Sequence, residues 1–383
     1  MKKISLSLIS LALLGFSACN PDNDNELEGS ENAVLVGQFV PQYVDNTVVP
    51  IYKQLADESI DLYEALVALQ ANKTAENVQL AANEWIAARK FWEQSEAFLF
   101  GAAAEFGIDP HIDTWPLDRQ ALLDLLGNQA QVASLAGDDG VAWAGEKLGP
   151  GLLGFHGIEY ILFAGGQIKP NVAAISDNEL IYVVAVGGDL RNQCIRLEAA
   201  WAGYDNVSAE KQAIIDDFEL GITMAGGQNY GDNMRLAGKP GSTYKTTTDA
   251  AEEIIQGCID IADEVAKMKI GKPYTGEDIN YIESPYSYNS TRDFADNIES
   301  IRFAYLGGAT TRDKSLHTLF DKVNKDLDGR ILSAIDNAVA KIGAIQNFEN
   351  NPSSVASATA IDAIDSLTVI LEEARVELRK AVQ

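Results

Sequence analysis

His156 and Glu159 stand three residues apart in the run GLLGFHGIEYILFAGG, where nearly every neighbour is apolar. On a helix such i, i+3 positions hold their Cβ atoms about 5–6 Å apart, so an imidazole nitrogen and a carboxylate oxygen can converge on one ion. That donor pair suits iron, zinc or copper and needs two or more further ligands from elsewhere. The alternative is a buried His–Glu hydrogen bond that satisfies two core groups and binds nothing. The stretch lacks the second histidine of the H-E-x-x-H helix, and the chain has no G-x-S-x-G segment to supply a serine nucleophile. Gly154 and Gly157 flank the histidine at a cost of about 1 kcal/mol each against alanine, which predicts close approach by another backbone or a ligand.

A second set lies about 60 residues upstream. Trp85, Arg89, Trp92 and Glu96 step by four, three and four, so Arg89 and Glu96 fall in a stripe that should be core, and Glu93 sits one turn beyond Arg89. One reading is a structural network in which Arg89 neutralises both carboxylates. The other is that Glu93 and Glu96 form a ligand pair. The following loop, FGIDPHIDTWPLD, carries Asp109, His111, Asp113 and Asp118 and could bring an aspartate against the helices. His111 and its acidic neighbours otherwise read as solvated loop residues, and His317 as incidental.

The elements that must position these groups are helical. Val48, Tyr52, Leu55, Leu62, Leu66 and Leu69 repeat at helical spacing with Asn46 as a cap, and a second helix starts near Thr74. Further helices are predicted at about 175–203, 208–224, 247–269, 290–305 and 313–346, with a last one after Pro352-Ser353-Ser354. The segment holding His156 should be a helix between Gly149-Pro150 and Gly165-Gly166, apolar all round and therefore buried. Strand-like alternation is nearly absent. The fold class is all-α, built as two helical bundles spanning 35–225 and 226–383. Two long interruptions, 225–244 and 271–290, are the loops most suited to line a site.

The first 18 residues read as a secretory signal, and Phe16-Ser17-Ala18-Cys19 resembles a lipobox whose cysteine, Cys19, is lipidated. Residues 19–34 then read as a disordered acidic tether. The expected location is the outer membrane, on its periplasmic or cell-surface side. The formal charge is −27, and removing the signal takes away Lys2 and Lys3 to give −27 − 2 = −29, which makes nucleic acid a poor partner. Cys194 and Cys258 sit in apolar helical patterns and read as buried free thiols.

Taken together these residues resemble the imelysin family of bacterial lipoproteins. The likeness rests on G-x-H-x-x-E at Gly154–Glu159, W-x-x-A-R-x-x-W-E-x-x-E at Trp85–Glu96, D-x-W-P at Asp113–Pro116, and the segment ESPYSYNSTRDFADNIESIRFAYLGG at Glu283–Gly308. The resemblance implies two helical domains with a site near their interface, and a connection to iron uptake. It carries a ligand set over to His156, Glu159, Glu93, Glu96 and Asp113, with Asp109 competing for the last place. Ser284, Ser287 and Arg292 would close the site from the second domain, although turn formation and helix capping account for them equally.

Three functions follow as expectations. The first is a lipid-anchored protein that captures iron, zinc or copper, or an iron-bearing ligand, and passes it to an outer-membrane transport partner. The second is a metal-dependent peptidase, which the absence of a complete catalytic motif makes the weaker reading. The third is an interaction lipoprotein whose His156–Glu159 pair is purely structural.

Overall fold

The computed structural model describes residues 31–383, except 170, 311 and 313. The signal segment and Cys19 lie outside the described residues. Residues 31–34, expected in the tether, instead form the first turn of a helix, where the Asn32 amide donates to the Ala381 carbonyl at 2.8 Å.

Nine helices carry the argument: α1 (Glu31–Tyr43), α2 (Val49–Ala71), α3 (Ala75–Glu93), α4 (Gly154–Leu162), α5 (Asp177–Ala202), α6 (Thr247–Glu264), α7 (Ser290–Leu306), α8 (Lys325–Ile342) and α9 (Val355–Ala381). In the first half α2 packs between α3 and α5, and α4 wedges against α3 and α5. In the second half α8 and α9 pair, α6 lies on α9, and α7 lies on α6 and α8. The halves meet where α3 packs on α7 and α1 on α6, so one apolar core runs through both. The chain is all-α; among the described residues the strands are two-residue pieces, Phe163–Ala164 and Gln167–Ile168, joined through Gly165 and Gly166 at positive φ.

Local chemistry explains the boundaries. The helices predicted to start near Thr74 and after Ser354 do so, and each hydroxyl caps its helix by accepting a backbone N–H. Asn46 does not start a helix: its amide donates to Gln42 Oε1 at 2.6 Å inside a continuous helical path, where a π-helical turn, Val44–Val48, links α1 to α2. Pro50 supplies the reason, since it lacks an N–H and its ring clashes with the carbonyl four residues back, which a widened turn accommodates. The predicted helix at 313–346 is two, Leu316–Val323 and α8, because the Asn324 side chain breaks the path and caps the second. The predicted helix at 208–224 stops at Asp217, just before Glu219 turns to φ +50°. Cys194 and Cys258 are separate free thiols, and burial pushes both upward in pKa.

Candidate metal centre

Helix α4 is buried on every face except at Tyr160, as its composition requires. Both of its glycines are explained by protein atoms. A Cβ at Gly154, which sits at φ +72°, would collide with the Ile112 carbonyl, and one at Gly157 would collide with the Tyr182 hydroxyl. The Gly154 contact seats the Asp109–Ile112 helical turn against the start of α4 and so delivers the next residue, Asp113, to His156. On the other side Trp85 of α3 donates to the Phe155 carbonyl at 3.0 Å and locks α3 to α4.

His156 is 2 % exposed and Glu159 fully buried. The two are joined through His156 Nδ1 and Glu159 Oε2 at 3.3 Å. His156 Nε2 lies 3.0 Å from Asp113 Oδ1 as an ion pair, without the alignment of a hydrogen bond. Asp113 also pairs with Arg89 and accepts from Trp92 Nε1 at 2.7 Å. Of the two competing aspartates it is therefore Asp113 that meets the histidine.

Arg89 is wholly buried and faces Glu93 at 2.5 Å, Glu283 at 2.8 Å and, more distantly, Asp293 at 4.0 Å. It neutralises Glu93 as expected but does not reach Glu96. That carboxylate lies beyond the end of α3, in the 3-10 turn Glu96–Phe98, and meets Lys269 at 3.4 Å. Lys269 also faces Glu283 at 3.3 Å and Glu93 at 3.7 Å. It is presented by a second π-helical turn, Val265–Lys269, which extends α6. Asn297 on α7 donates to Glu93 Oε2 at 2.5 Å.

The loop 283–289 completes the centre. Glu159 Oε1 accepts three hydrogen bonds from it: from the N–H of Tyr286 at 3.0 Å, and from the N–H and hydroxyl of Ser287, each at 2.8 Å. Ser284 donates its hydroxyl to Asp293 at 2.5 Å, so both serines singled out in the sequence reach the site. Arg292 is exposed; it is its neighbour Asp293 that turns inward. His111 is not a free loop residue, since its Nδ1 lies 2.9 Å from Asp189 on α5, and His317 pairs with Asp328 at 2.7 Å.

Three residues of the centre, Lys269, Glu283 and Asp293, escaped the sequence reading. Lys269 had a signal: Ile254, Cys258, Ile261 and Val265 step by four, three and four, and one more step of four lands on it. A lysine on that stripe has to be buried with a partner.

The charges do not balance. Six carboxylates (Glu93, Glu96, Asp113, Glu159, Glu283 and Asp293) surround Arg89, Lys269 and a single histidine. Burial pushes Glu283, Glu96 and Asp293 upward, Lys269 or Arg89 opposing it only in part. Burial also works to raise Asp113, but the Arg89 charge and the facing His156 outweigh it and hold the carboxyl far below its usual range. His156 goes the other way: burial lowers it, yet its carboxylate partners Asp113 and Glu159 carry it to about 9. Two sets of ligating atoms lie within 4.8 Å of one another, Asp113–His156–Glu283 and Glu93–Glu96–Asp113. Glu283 Oε2 is buried and has no hydrogen-bond partner among the described residues.

A surplus of buried carboxylate, contributed by both halves, thus surrounds one imidazole. The imelysin family model matches residues 48–372. The chain belongs to the imelysin family. Iron-regulated protein A of Synechococcus elongatus is 30% identical over 304 residues, 79% of this chain and 71% of that protein. A crystal structure of a protein assigned as an iron-regulated protein A precursor, from Parabacteroides distasonis, superposes with a TM-score of 0.76 at 26% identity, covering 90% of this chain and 95% of the other. An imelysin-like protein from Psychrobacter arcticum shares the fold with a TM-score of 0.63 at 13% identity, over 88% of this chain and 93% of that one. The imelysin fold is thus common to this chain and its relatives.

Proposed function

We propose that this imelysin is a lipid-anchored capture protein that takes iron at Asp113, His156 and Glu283, on the way to an outer-membrane transport partner. The observation that carries the reading is the buried trio itself, whose ligating atoms lie within 4.8 Å of one another and include the unpartnered Glu283 Oε2. One nitrogen and carboxylate oxygens form a donor set that suits iron and also admits zinc or copper. In this reading Glu159 is an orienting group and not a ligand. With the Nδ1 proton donated to Glu159, the Nε2 lone pair is left for the metal once its own proton departs. Glu93 and Glu96, already held by Arg89, Lys269 and Asn297, contribute charge from behind.

Peptide cleavage needs a free general base beside the metal as well as an open coordination position. Glu159, with three donors on one oxygen, is poorly placed to be that base, and this favours capture. Anchorage through Cys19 at the outer membrane completes the proposal and rests on the sequence of the leader.

The test is the metal content of protein purified without an affinity tag after growth in iron-replete medium, compared with His156→Ala and Glu283→Gln. Stoichiometric iron in the parent protein, lost from both variants while their helical circular dichroism is retained, is the expected result. A metal-free parent that cannot be loaded by Fe2+ or by ferric complexes overturns the reading.

A further inference from the structure

A cleft of about 380 Å3 opens onto the centre, with His156 and Glu283 among its lining residues. Two features of this cleft suit an occupant larger and less polar than an aquated ion. Its walls are mostly apolar, formed by Pro116, Leu117, Ile279, Ile282 and Pro285. It is also roomy: an ion with six waters needs on the order of 200 Å3 at ~30 Å3 per water, and apolar walls give such a shell no hydrogen bonds. Ile279 is 66% exposed at the mouth, where an apolar side chain gains nothing from facing water alone.

Besides Asn280 and Tyr286, the polar side chains lining the cleft are of two kinds. Acceptors suited to a metal, His156 Nε2 and the unpartnered Glu283 Oε2, belong to buried residues. Donors suited to an oxyanion accompany them: the Trp115 indole N–H, which is buried with no acceptor among the described residues, and the exposed Arg119 guanidinium, which lies 5.6 Å above the Tyr160 ring. A bare cation leaves the buried indole N–H unsatisfied. A three-residue donor set also leaves coordination positions for another molecule to fill.

We infer that the cleft receives the metal as a small organic chelate with oxygen donors, metal inward against His156 and Glu283 and chelator outward against Trp115, Arg119 and the apolar walls. This inference rests on the reading of the centre as a site of iron capture and names the form in which the iron arrives. The chelator's carboxylate or hydroxamate oxygens accept from the Trp115 N–H and from Arg119, and its carbon skeleton covers Leu117, Ile279 and Ile282.

Equilibrium dialysis of the whole metal-free protein separates the possibilities. The probes are ferric citrate and ferric acetohydroxamate, the same two chelators without metal, and Fe2+ alone under anaerobic conditions, with iron and chelator measured in the protein compartment. The expected result is joint retention of iron and chelator from at least one ferric complex, at least tenfold tighter than Fe2+ alone or either free chelator. Trp115→Phe, which keeps the ring and removes the N–H, should weaken that chelate at least fivefold and leave Fe2+ binding within twofold. Arg119→Ala, at the exposed rim, should act in the same direction without risk to the fold. Iron retained without its chelator, Fe2+ bound as tightly as the complexes, or chelator retained without iron would each overturn the inference, the first two sparing the capture reading. Failure of every iron form to bind would overturn both.

Discussion

Replacing Glu159 by glutamine removes one charge and almost no volume, and the structure allows its cost to be worked out. The carboxylate accepts three hydrogen bonds from Tyr286 and Ser287 on one oxygen and faces the His156 Nδ1 with the other. A glutamine carbonyl can still accept all three, but as neutral bonds worth about 0.5–1.5 kcal/mol instead of the ~1.5–3 kcal/mol of bonds to a charged group. The loss is about 1 kcal/mol per bond, or about 3 kcal/mol in all. The glutamine NH2 then faces Nδ1, so the imidazole must present a lone pair there and carry its proton on Nε2, the atom proposed for the metal. Glu159→Gln should therefore lower urea stability by about 3 kcal/mol and, by removing the acceptor that holds the Nδ1 proton when Nε2 gives up its own, weaken iron retention at neutral pH. Glu159→Ala should be worse, because it leaves three donors of the loop without their acceptor. The checks are urea unfolding at pH 7 and metal analysis after dialysis. A Glu159→Gln protein within about 1 kcal/mol of the parent, or an alanine variant more stable than the glutamine one, would refute the argument that a charged Glu159 holds the second-half loop in place.

Two further outcomes follow from the packing around the centre. Gly157→Ala drives a methyl group into the Tyr182 hydroxyl, which donates to the Leu152 carbonyl at 2.8 Å. It should cost about 1–3 kcal/mol by thermal unfolding, and adding Tyr182→Phe should recover part of the loss. Asp296 is pushed up to about 6 by burial, helped by the Glu93 charge and opposed by the bond from Gln94. Between pH ~4 and 6 the unfolded chain releases this proton while the folded one keeps it, so the group lowers stability as pH rises through that window. Each tenfold difference in proton affinity between the folded and unfolded chains is worth about 1.4 kcal/mol, so Asp296→Asn should stabilise the protein by about 1–3 kcal/mol at pH 7 and hardly at all at pH 4, as read from urea midpoints.

Much of this was legible in the sequence because its signals were local. The buried run around His156, the stripe from Trp85 to Trp92 and the helix starts near Thr74 and after Ser354 each follow from local sequence. What stayed hidden required knowledge of contacts between distant segments. Glu283 and Asp293 look like surface acids until the loop 283–289 reaches α4 and α7 packs on α3. Asn46 has a good capping side chain, and only the continuity of α1 and α2 past Pro50 shows that nothing there needs a cap. His111 reads as a loop residue because its partner, Asp189, is 78 residues away on α5.

The three bonds from Tyr286 and Ser287 to Glu159 bear on how sequences of this kind should be searched and borrowed. The helix GFHGIE brings the histidine, but the groups that hold its carboxylate partner and supply Glu283 arrive more than a hundred residues later. Transplanted into another bundle, the hexapeptide would carry an imidazole and a carboxylate with no company. A gene fragment ending before residue 283 would keep the motif that names the family and lose the chemistry that the motif advertises.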